Sequence, residues 1–162
     1  GYTTTVRSIV LAANTAYQIT IGAAGINPTK AGTDGVDGGT TSAFAASALG
    51  GKGSLAGSSS ARKPGADGGS GGGGVNISGV HVNSSTAAGG TDGEDGATAT
   101  TAGGTGQGTT TREFGETDGD LYASGGGDNL TATVPNSGNG GAYNVEPADG
   151  IVVIRQHKEV AA

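Results

Sequence analysis

The side chains that most often carry chemistry are few and scattered in this chain. The sequence has two histidines, His81 and His157, and no cysteine. Zinc sites need several converging ligands, and a catalytic triad needs a histidine beside its nucleophile. Ser70 lies among glycines, without the strand that precedes a nucleophile elbow. We therefore predict no catalytic residue, no metal, no cofactor and no enzymatic activity.

Carboxylates are the other candidate ligands, and they occur in three closely spaced sets. These are Asp34 and Asp37; Asp92, Glu94 and Asp95; and Glu116, Asp118 and Asp120. Calcium binds such oxygens, but neither an EF-hand loop nor the calcium-binding β-helix repeat is matched. In a helix with three residues per turn, side chains three apart share one edge. The spacing of three between Asp34 and Asp37, and between Asp92 and Asp95, therefore favours a solvated edge over a metal site.

Glycine recurs at intervals of three, which fits neither a phosphate loop nor a dinucleotide fingerprint. The glycines in strict phase are Gly32, Gly35, Gly38, Gly65, Gly68, Gly71, Gly74, Gly90, Gly93 and Gly96. A period of three matches neither a strand nor an α-helix, but it matches a polyproline II helix, which has no internal hydrogen bonds. Such backbones must pair with neighbours when buried, and glycine lets them approach closely. We predict a bundle of left-handed polyglycine II helices over residues 23–149, joined by variable loops.

The composition limits both the core and the partners. Glycine accounts for 36 of the 162 residues and proline for four, too few for collagen. Apolar residues make up 33 %, mostly Ala and Val, so backbone pairing and small-residue packing must supply most of the stability. A net charge of −6 opposes nucleic-acid binding, and no apolar run is long enough for membrane insertion. We expect one domain, 1–162, which begins at Gly1 without Met and is therefore expected to be a fragment or a processed product.

The two ends read as β-structure. Residues 5–11 and 16–21 are rich in β-branched residues and predict a hairpin over 3–22, with its turn at 12–15. The apolar run at 151–154 predicts a closing strand, 150–156, that pairs with this hairpin. Between them, alanines favour a short helix at 43–49, and alternation favours a short β segment at 75–82. The predicted fold class is mostly irregular/β: a polyglycine II bundle with a small antiparallel sheet formed by the hairpin and the closing strand.

Motifs at both ends also resemble a known family. They are Tyr17-Gln18-Ile19-Thr20-Ile21-Gly22-Ala23-Ala24-Gly25, Gly140-Gly141-Ala142-Tyr143 and Gly150-Ile151-Val152-Val153-Ile154-Arg155. They resemble the glycine-rich domains at the ends of bacteriophage tail fibres, although Ala24 stands where a glycine is usual. The interleaved glycine runs and inserts are also similar to tail-tip adhesins of T-even-like phages, whose loops between polyglycine II helices contact host outer-membrane proteins or glycans. The resemblance implies a receptor-binding tip in the virion, attached to the rest of a tail fibre.

Large side chains in the inserts are the expected contact surface, because aromatic and arginine side chains dominate interface energies. The candidates are Arg62, Lys63, Arg112, Phe114 and Tyr122. Of the aromatic candidates, Tyr122 is the one we expect to be exposed, whereas packing beneath the loops is an equal expectation for Phe114. The competing hypothesis is a structural or assembly module of an extracellular, cell-surface or filament protein that binds no receptor. Ice binding is a third, which the irregular inserts disfavour.

Overall fold

The structure is a computed structural model that describes residues 1–27, 33–53, 76–77, 80–81, 112–126, 134–141 and 145–156. Within these ranges it has no α-helix. Its strands are β1 (Ile19–Thr20), β2 (Thr41–Ala43), β3 (Ala46–Ala48), β4 (Asn76–Ile77) and β5 (Val80–His81), followed by a short 3-10 helix at Glu113–Gly115. The described part of the chain is thus mostly irregular with a small β content, as the composition predicts.

A tight hairpin of β2 and β3 replaces the short helix expected at 43–49. Thr41 lies opposite Ala48 and Ala43 opposite Ala46, which leaves Phe44 and Ala45 as a two-residue turn. Both turn residues have positive φ, 49° and 66°. Positive φ at both positions is the requirement of the turn whose twist matches the flanking strands. The alanines suggested a helix, but so short a helix is marginal alone and the strand pairing wins.

The three-stranded antiparallel sheet has the order β1-β2-β3; β1 lies within the predicted strand 16–21, but its partner differs from the one that the sequence predicts. Ile19 of β1 lies opposite Ala43 of β2, so β1 pairs across the chain and not with residues 5–11. Residues 5–11 form no strand, and the hairpin expected over 3–22 is wrong in its pairing. Ser8 has a φ of 58°, which interrupts the extended path that a strand there would need.

Two further predictions concern short β segments. β4 and β5 pair antiparallel, with Asn76 opposite His81, which confirms the β segment expected at 75–82 for these four residues. The closing segment 150–156 forms no strand. It nevertheless reaches the β1 end of the sheet, because the Gly150 N–H donates to the Gly22 carbonyl at 2.9 Å. The Ala24 N–H also donates to Asp149 Oδ1 at 2.6 Å, so separate hydrogen bonds and not a strand ladder join the two ends of the fold.

Six extended segments lie side by side through backbone hydrogen bonds, and we call this row the glycine layer. In spatial order they are 50–53, 35–39, 22–26, 145–150, 137–141 and 123–126. The bonds between successive segments are Gly38 N–H to Gly51 O (2.9 Å), Gly39 N–H to Ala23 O (2.8 Å), Gly150 N–H to Gly22 O (2.9 Å), Gly138 N–H to Asp149 O (2.8 Å) and Gly140 N–H to Ser124 O (2.8 Å). Each neighbour satisfies backbone groups that an isolated extended chain would leave unpaired.

Close approach requires most of the described glycines in this layer, whereas backbone angle requires Gly138, whose φ is 68°. A Cβ built on Gly22 or Gly50 would collide with the backbone of Gly39 or Gly38. Among the described glycines, positive φ occurs at Gly115 and Gly138, neither of which makes these contacts. The missing side chain therefore lets the backbones approach closely enough to hydrogen bond.

Small residues are buried where the last two segments of the layer meet, and the Ala123 N–H donates to the Ser137 carbonyl there at 2.9 Å. Ala123 and Ser137 are each 2 % exposed, and the Ser137 hydroxyl donates to the Val134 carbonyl at 2.6 Å. Gly1 touches both ends of the row: a Cβ on Gly51 would lie 3.2 Å from Gly1 N, and one on Gly1 itself 3.2 Å from Ala123 Cβ. Among the described residues Ala123 is the one fully buried apolar residue, so backbone pairing replaces a side-chain core.

Candidate functional site

The insert at 112–122 projects from the glycine layer as a closed loop. Arg112 and Leu121 face each other as an isolated antiparallel bridge, and the Glu113 N–H donates to the Asp120 carbonyl at 2.8 Å. Inside this base the 3-10 helix Glu113–Gly115 is followed by a turn at Gly119, whose N–H donates to the Glu116 carbonyl at 3.0 Å. The Asp118-Gly119 pair is a typical turn sequence. The insert is therefore ordered by its own backbone.

Phe114 attaches the insert to segments from both ends of the chain. Its backbone carbonyl accepts a hydrogen bond from Arg7 Nη2 at 2.7 Å. Its ring lies beneath the Arg155 guanidinium, 4.0 Å from the centroid, a cation–π contact. Its φ of 50° is unusual for an aromatic residue and persists because the surroundings fix the turn. Phe114 is half-buried and serves as the anchor of the insert.

A second contact runs between the insert and the C-terminal segment. Both Arg155 Nη atoms donate to the Glu116 carboxylate, Nη2 at 3.1 Å from Oε2. The hydrogen bond from Arg155 holds the pKa of Glu116 below its ordinary value. A planar guanidinium suits this two-point contact better than an ammonium would. Arg155 thus fixes the insert through both a ring and a carboxylate.

Arg112 and Tyr122, two of the predicted contact residues, lie at the base of the insert. Arg112 Nη1 donates to the Gly119 carbonyl at 2.8 Å, which closes the loop from within. The Tyr122 hydroxyl lies 3.5 Å from Glu113 Oε2. Burial, followed by the charges of Glu113 and Asp120, raises the pKa of Tyr122. Tyr122 is half-buried, whereas the sequence analysis expects it to be exposed.

The exposed surface of the insert includes the carboxylate set Glu116, Asp118 and Asp120, for which the sequence favours a solvated edge. Gly115 to Asp118, Asp120 and Leu121 are exposed. They offer hydroxyl and carboxylate oxygens beside one apolar side chain, Leu121 at 36 % exposure. Such a surface accepts hydrogen bonds from sugar hydroxyls or protein N–H groups and contains no nucleophile–base pair. The Asp118-Gly119 turn was the available signal for this tip.

Several predicted residues lie outside the described ranges. They are Arg62 and Lys63 and, of the phased glycines, Gly32, Gly65, Gly68, Gly71, Gly74, Gly90, Gly93 and Gly96. Gly35 and Gly38 are described, and both lie in the glycine layer. Gly38 contacts Gly50, and a Cβ on Gly53 would collide with the Gly35 carbonyl. These two glycines therefore occupy backbone contact positions.

The carboxylate pair Asp34 and Asp37 is exposed, and Asp37 links two segments of the layer. Its Oδ2 accepts from Lys52 Nζ at 2.6 Å, and its Oδ1 accepts from the Gly53 N–H at 2.8 Å. In the described ranges no three His, Cys, Asp or Glu side chains come together as a metal site would need. Nor does any described helix have the length and hydropathy needed to cross a membrane.

Together these features define a glycine-packed, mostly irregular domain with a small antiparallel sheet and a docked insert. A family model described as a glycine-rich domain matches residues 1–155, and the chain belongs to that family. No curated protein and no solved structure matches the chain.

Proposed function

We propose that this chain is the tip domain of a bacteriophage tail fibre, an adhesin that recognises a receptor on the bacterial host surface. The receptor is a surface protein or a glycan, and the domain acts in the virion, joined to the rest of the fibre. The observation that carries the proposal is the docked insert, whose base is fixed to the framework while residues 115–118 stay exposed. The resemblance of the end motifs to tail-fibre domains supplies the biological setting.

We further propose that the glycine layer belongs to a bundle of polyglycine II helices. The support is twofold: layer glycines that approach neighbouring backbones closely, and backbone hydrogen bonds that run between segments and not within them. Polyglycine II helices have these properties, since they contain no internal hydrogen bonds. Such a framework is a rigid base for variable loops, and binding residues are commonly displayed on loops held by a rigid scaffold.

The geometry of the insert favours recognition because the conformational entropy of its backbone is already lost on folding, before any ligand binds. Two arginines from distant segments, Arg7 and Arg155, hold Phe114. A loop held in this way loses little conformational entropy on binding, which raises affinity without additional contacts. The three half-buried candidates, Arg112, Phe114 and Tyr122, then act through the shape of the loop more than through direct contact.

The test is binding of the labelled 162-residue chain to a panel of whole bacterial strains. We expect strain-selective binding, lost in Thr117→Lys, which places a long cation on the exposed tip. Thr40→Lys is the matched control, since Thr40 is exposed like Thr117 but lies outside the insert. Uniform absence of binding by a folded sample would remove the adhesin proposal, and equal loss in both variants would remove the insert as its site.

The alternative is a structural or assembly module without a receptor. A specific observation favours it: fourteen large apolar residues are exposed among the described residues, and apolar surface gathered into a large patch is typical of a contact with another chain. A folded chain that binds no strain but forms defined assemblies would support this alternative. The two functions are compatible only if assembly leaves the insert free.

A further inference from the structure

Large apolar residues from three segments are exposed together near the two ends of the chain. We call this set the terminal face; it consists of the apolar residues within 6–11, 17–21 and 153–154. Their exposures range from 38 % at Val153 to 93 % at Val10. Nine of the fourteen exposed large apolar residues in the described ranges belong to this face.

Three contacts bring the segments of the terminal face together. The Ala12 N–H donates to the Tyr17 hydroxyl at 2.8 Å, which connects 6–11 to 17–21. The bond from Gly150 to Gly22 starts the C-terminal segment beside the end of 17–21. Phe114 then contacts both Arg7 and Arg155, which joins the first and third segments.

The size of the face matches an interface between proteins. At these exposures its nine residues present on the order of 700 Å² of side-chain and backbone surface to solvent, comparable with about 300–600 Å² for the largest apolar patch of a typical monomer. A stable protein–protein interface buries about 800 Å² on each partner. The terminal face alone therefore provides most of the area that one side of such an interface requires.

The charge of the face indicates which partner fits. Within its three ranges the one charged residue is Arg7, and that guanidinium already donates to the Phe114 carbonyl. A net charge of −6 disfavours contact between copies elsewhere, but an uncharged apolar face can meet itself without charge repulsion. No backbone hydrogen bond joins residues 6–11 to another described segment, so within the described ranges their apolar side chains lie outside the hydrogen-bonded glycine layer.

We infer that the terminal face is covered by the same face of a second copy of this chain. Burial of the apolar side chains drives this self-association, and it supplies the hydrophobic burial that the glycine layer lacks. The inference is separate from receptor recognition, because the face is formed by the chain ends and not by residues 115–118.

The test is the molar mass of the full chain, measured by sedimentation from low to high micromolar concentration. We expect assembly that Val10→Glu weakens by about a hundredfold, because it would bury an unpaired charge. Val10 is 93 % exposed, so the variant should fold. Val134→Glu is the matched control, at 64 % exposure and outside the face, and should assemble like the wild type.

A wild-type chain that stays monomeric would overturn the inference. Two further measurements on that monomer would then identify what covers the face. Fluorescence of the apolar dye ANS that is lost in Val10→Glu would assign the face to a foreign apolar partner. Binding to phosphatidylcholine vesicles would assign it to lipid. Assembly that Val10→Glu leaves intact would also overturn the inference, since the copies would meet elsewhere. Neither result bears on strain-selective binding.

Discussion

The guanidinium of Arg155 lies over the ring of Phe114, 4.0 Å from its centroid, and so joins the C-terminal segment to the 112–122 insert. The Phe114 carbonyl accepts from Arg7 on its other side. One phenylalanine therefore holds the insert against segments from both ends of the chain. Glu116 of the tip adds a second link, because both Nη atoms of Arg155 donate to its carboxylate.

Phe114→Ala should loosen the insert without unfolding the glycine layer. The lost cation–π contact is worth about 0.5–1 kcal/mol at an exposed site, and lost packing adds to it. We expect faster hydrogen exchange at the Glu113 and Gly119 amides, both bonded within the insert, and unchanged exchange at Gly39. Thr117→Ala, at the exposed tip, is the control and should change hydrogen exchange neither at the insert amides nor at Gly39. Equal acceleration at Gly39 would mean that Phe114 supports the whole domain.

Gly50→Ala should destabilise the domain far more than Gly38→Ala, although the two glycines face each other across one contact. A methyl group on Gly50 would collide with the Gly38 backbone, whereas one on Gly38 would lie 3.4 Å from Gly50 Cα. We expect a loss of about 2–4 kcal/mol for Gly50→Ala, because separated backbones leave polar groups unpaired. Gly38→Ala should stay within about 1 kcal/mol of the wild type. Equal losses in denaturant unfolding would contradict the close-approach role of Gly50.

Ala45→Gly should stabilise the β2–β3 hairpin. Ala45 has a φ of 66°, a left-handed conformation that is disfavoured for residues with a Cβ. Glycine removes that strain, and we expect a gain of about 0.5–1 kcal/mol after its larger unfolded-state entropy is allowed for. Ala43→Gly, one strand position before the turn, should lose about the same amount. Thermal unfolding of both variants would measure the gain and the loss. A midpoint of Ala45→Gly below that of the wild type would rule out the positive φ at Ala45.

Acid should weaken the link between two neighbouring layer segments. The hydrogen bond from Lys52, followed by that from the Gly53 N–H, lowers the pKa of Asp37 from its ordinary value of 3.8. Because the folded pKa is the lower one, the stabilisation is complete above the ordinary value and is lost as the pH falls through the folded value. Both side chains are about half exposed, so the effect is small.

The measurement is the unfolding midpoint of the wild type and Asp37→Asn between neutral pH and about pH 2. The advantage of the wild type should shrink on acidification. Lys52→Met keeps the Gly53 bond and should retain part of the pH dependence. An advantage that stays constant into strong acid would show that Asp37 is not linked to folding.

The sequence by itself determined the character of the fold. Glycine spacing and small side chains predict extended backbones in close contact, since no other residue lets two backbones approach so closely. Gly38 is at such a contact. Composition and alternation likewise predict the mostly irregular/β class and the paired strands Asn76–Ile77 and Val80–His81. The same information did not establish polyglycine II geometry, which stays a proposal.

Only the tertiary structure decided which segments are neighbours. Local pattern paired 5–11 with 16–21, but Ile19 lies opposite Ala43, because strand pairing depends on the whole packing and not on sequence distance. The Phe44-Ala45 turn carries no usual turn signal. Phe114 could be ranked from sequence as a large, rare side chain, yet its role as an anchor requires Arg7 and Arg155 to arrive from distant segments. Contacts between residues so far apart depend on the folded path of the chain, and no local spacing encodes them.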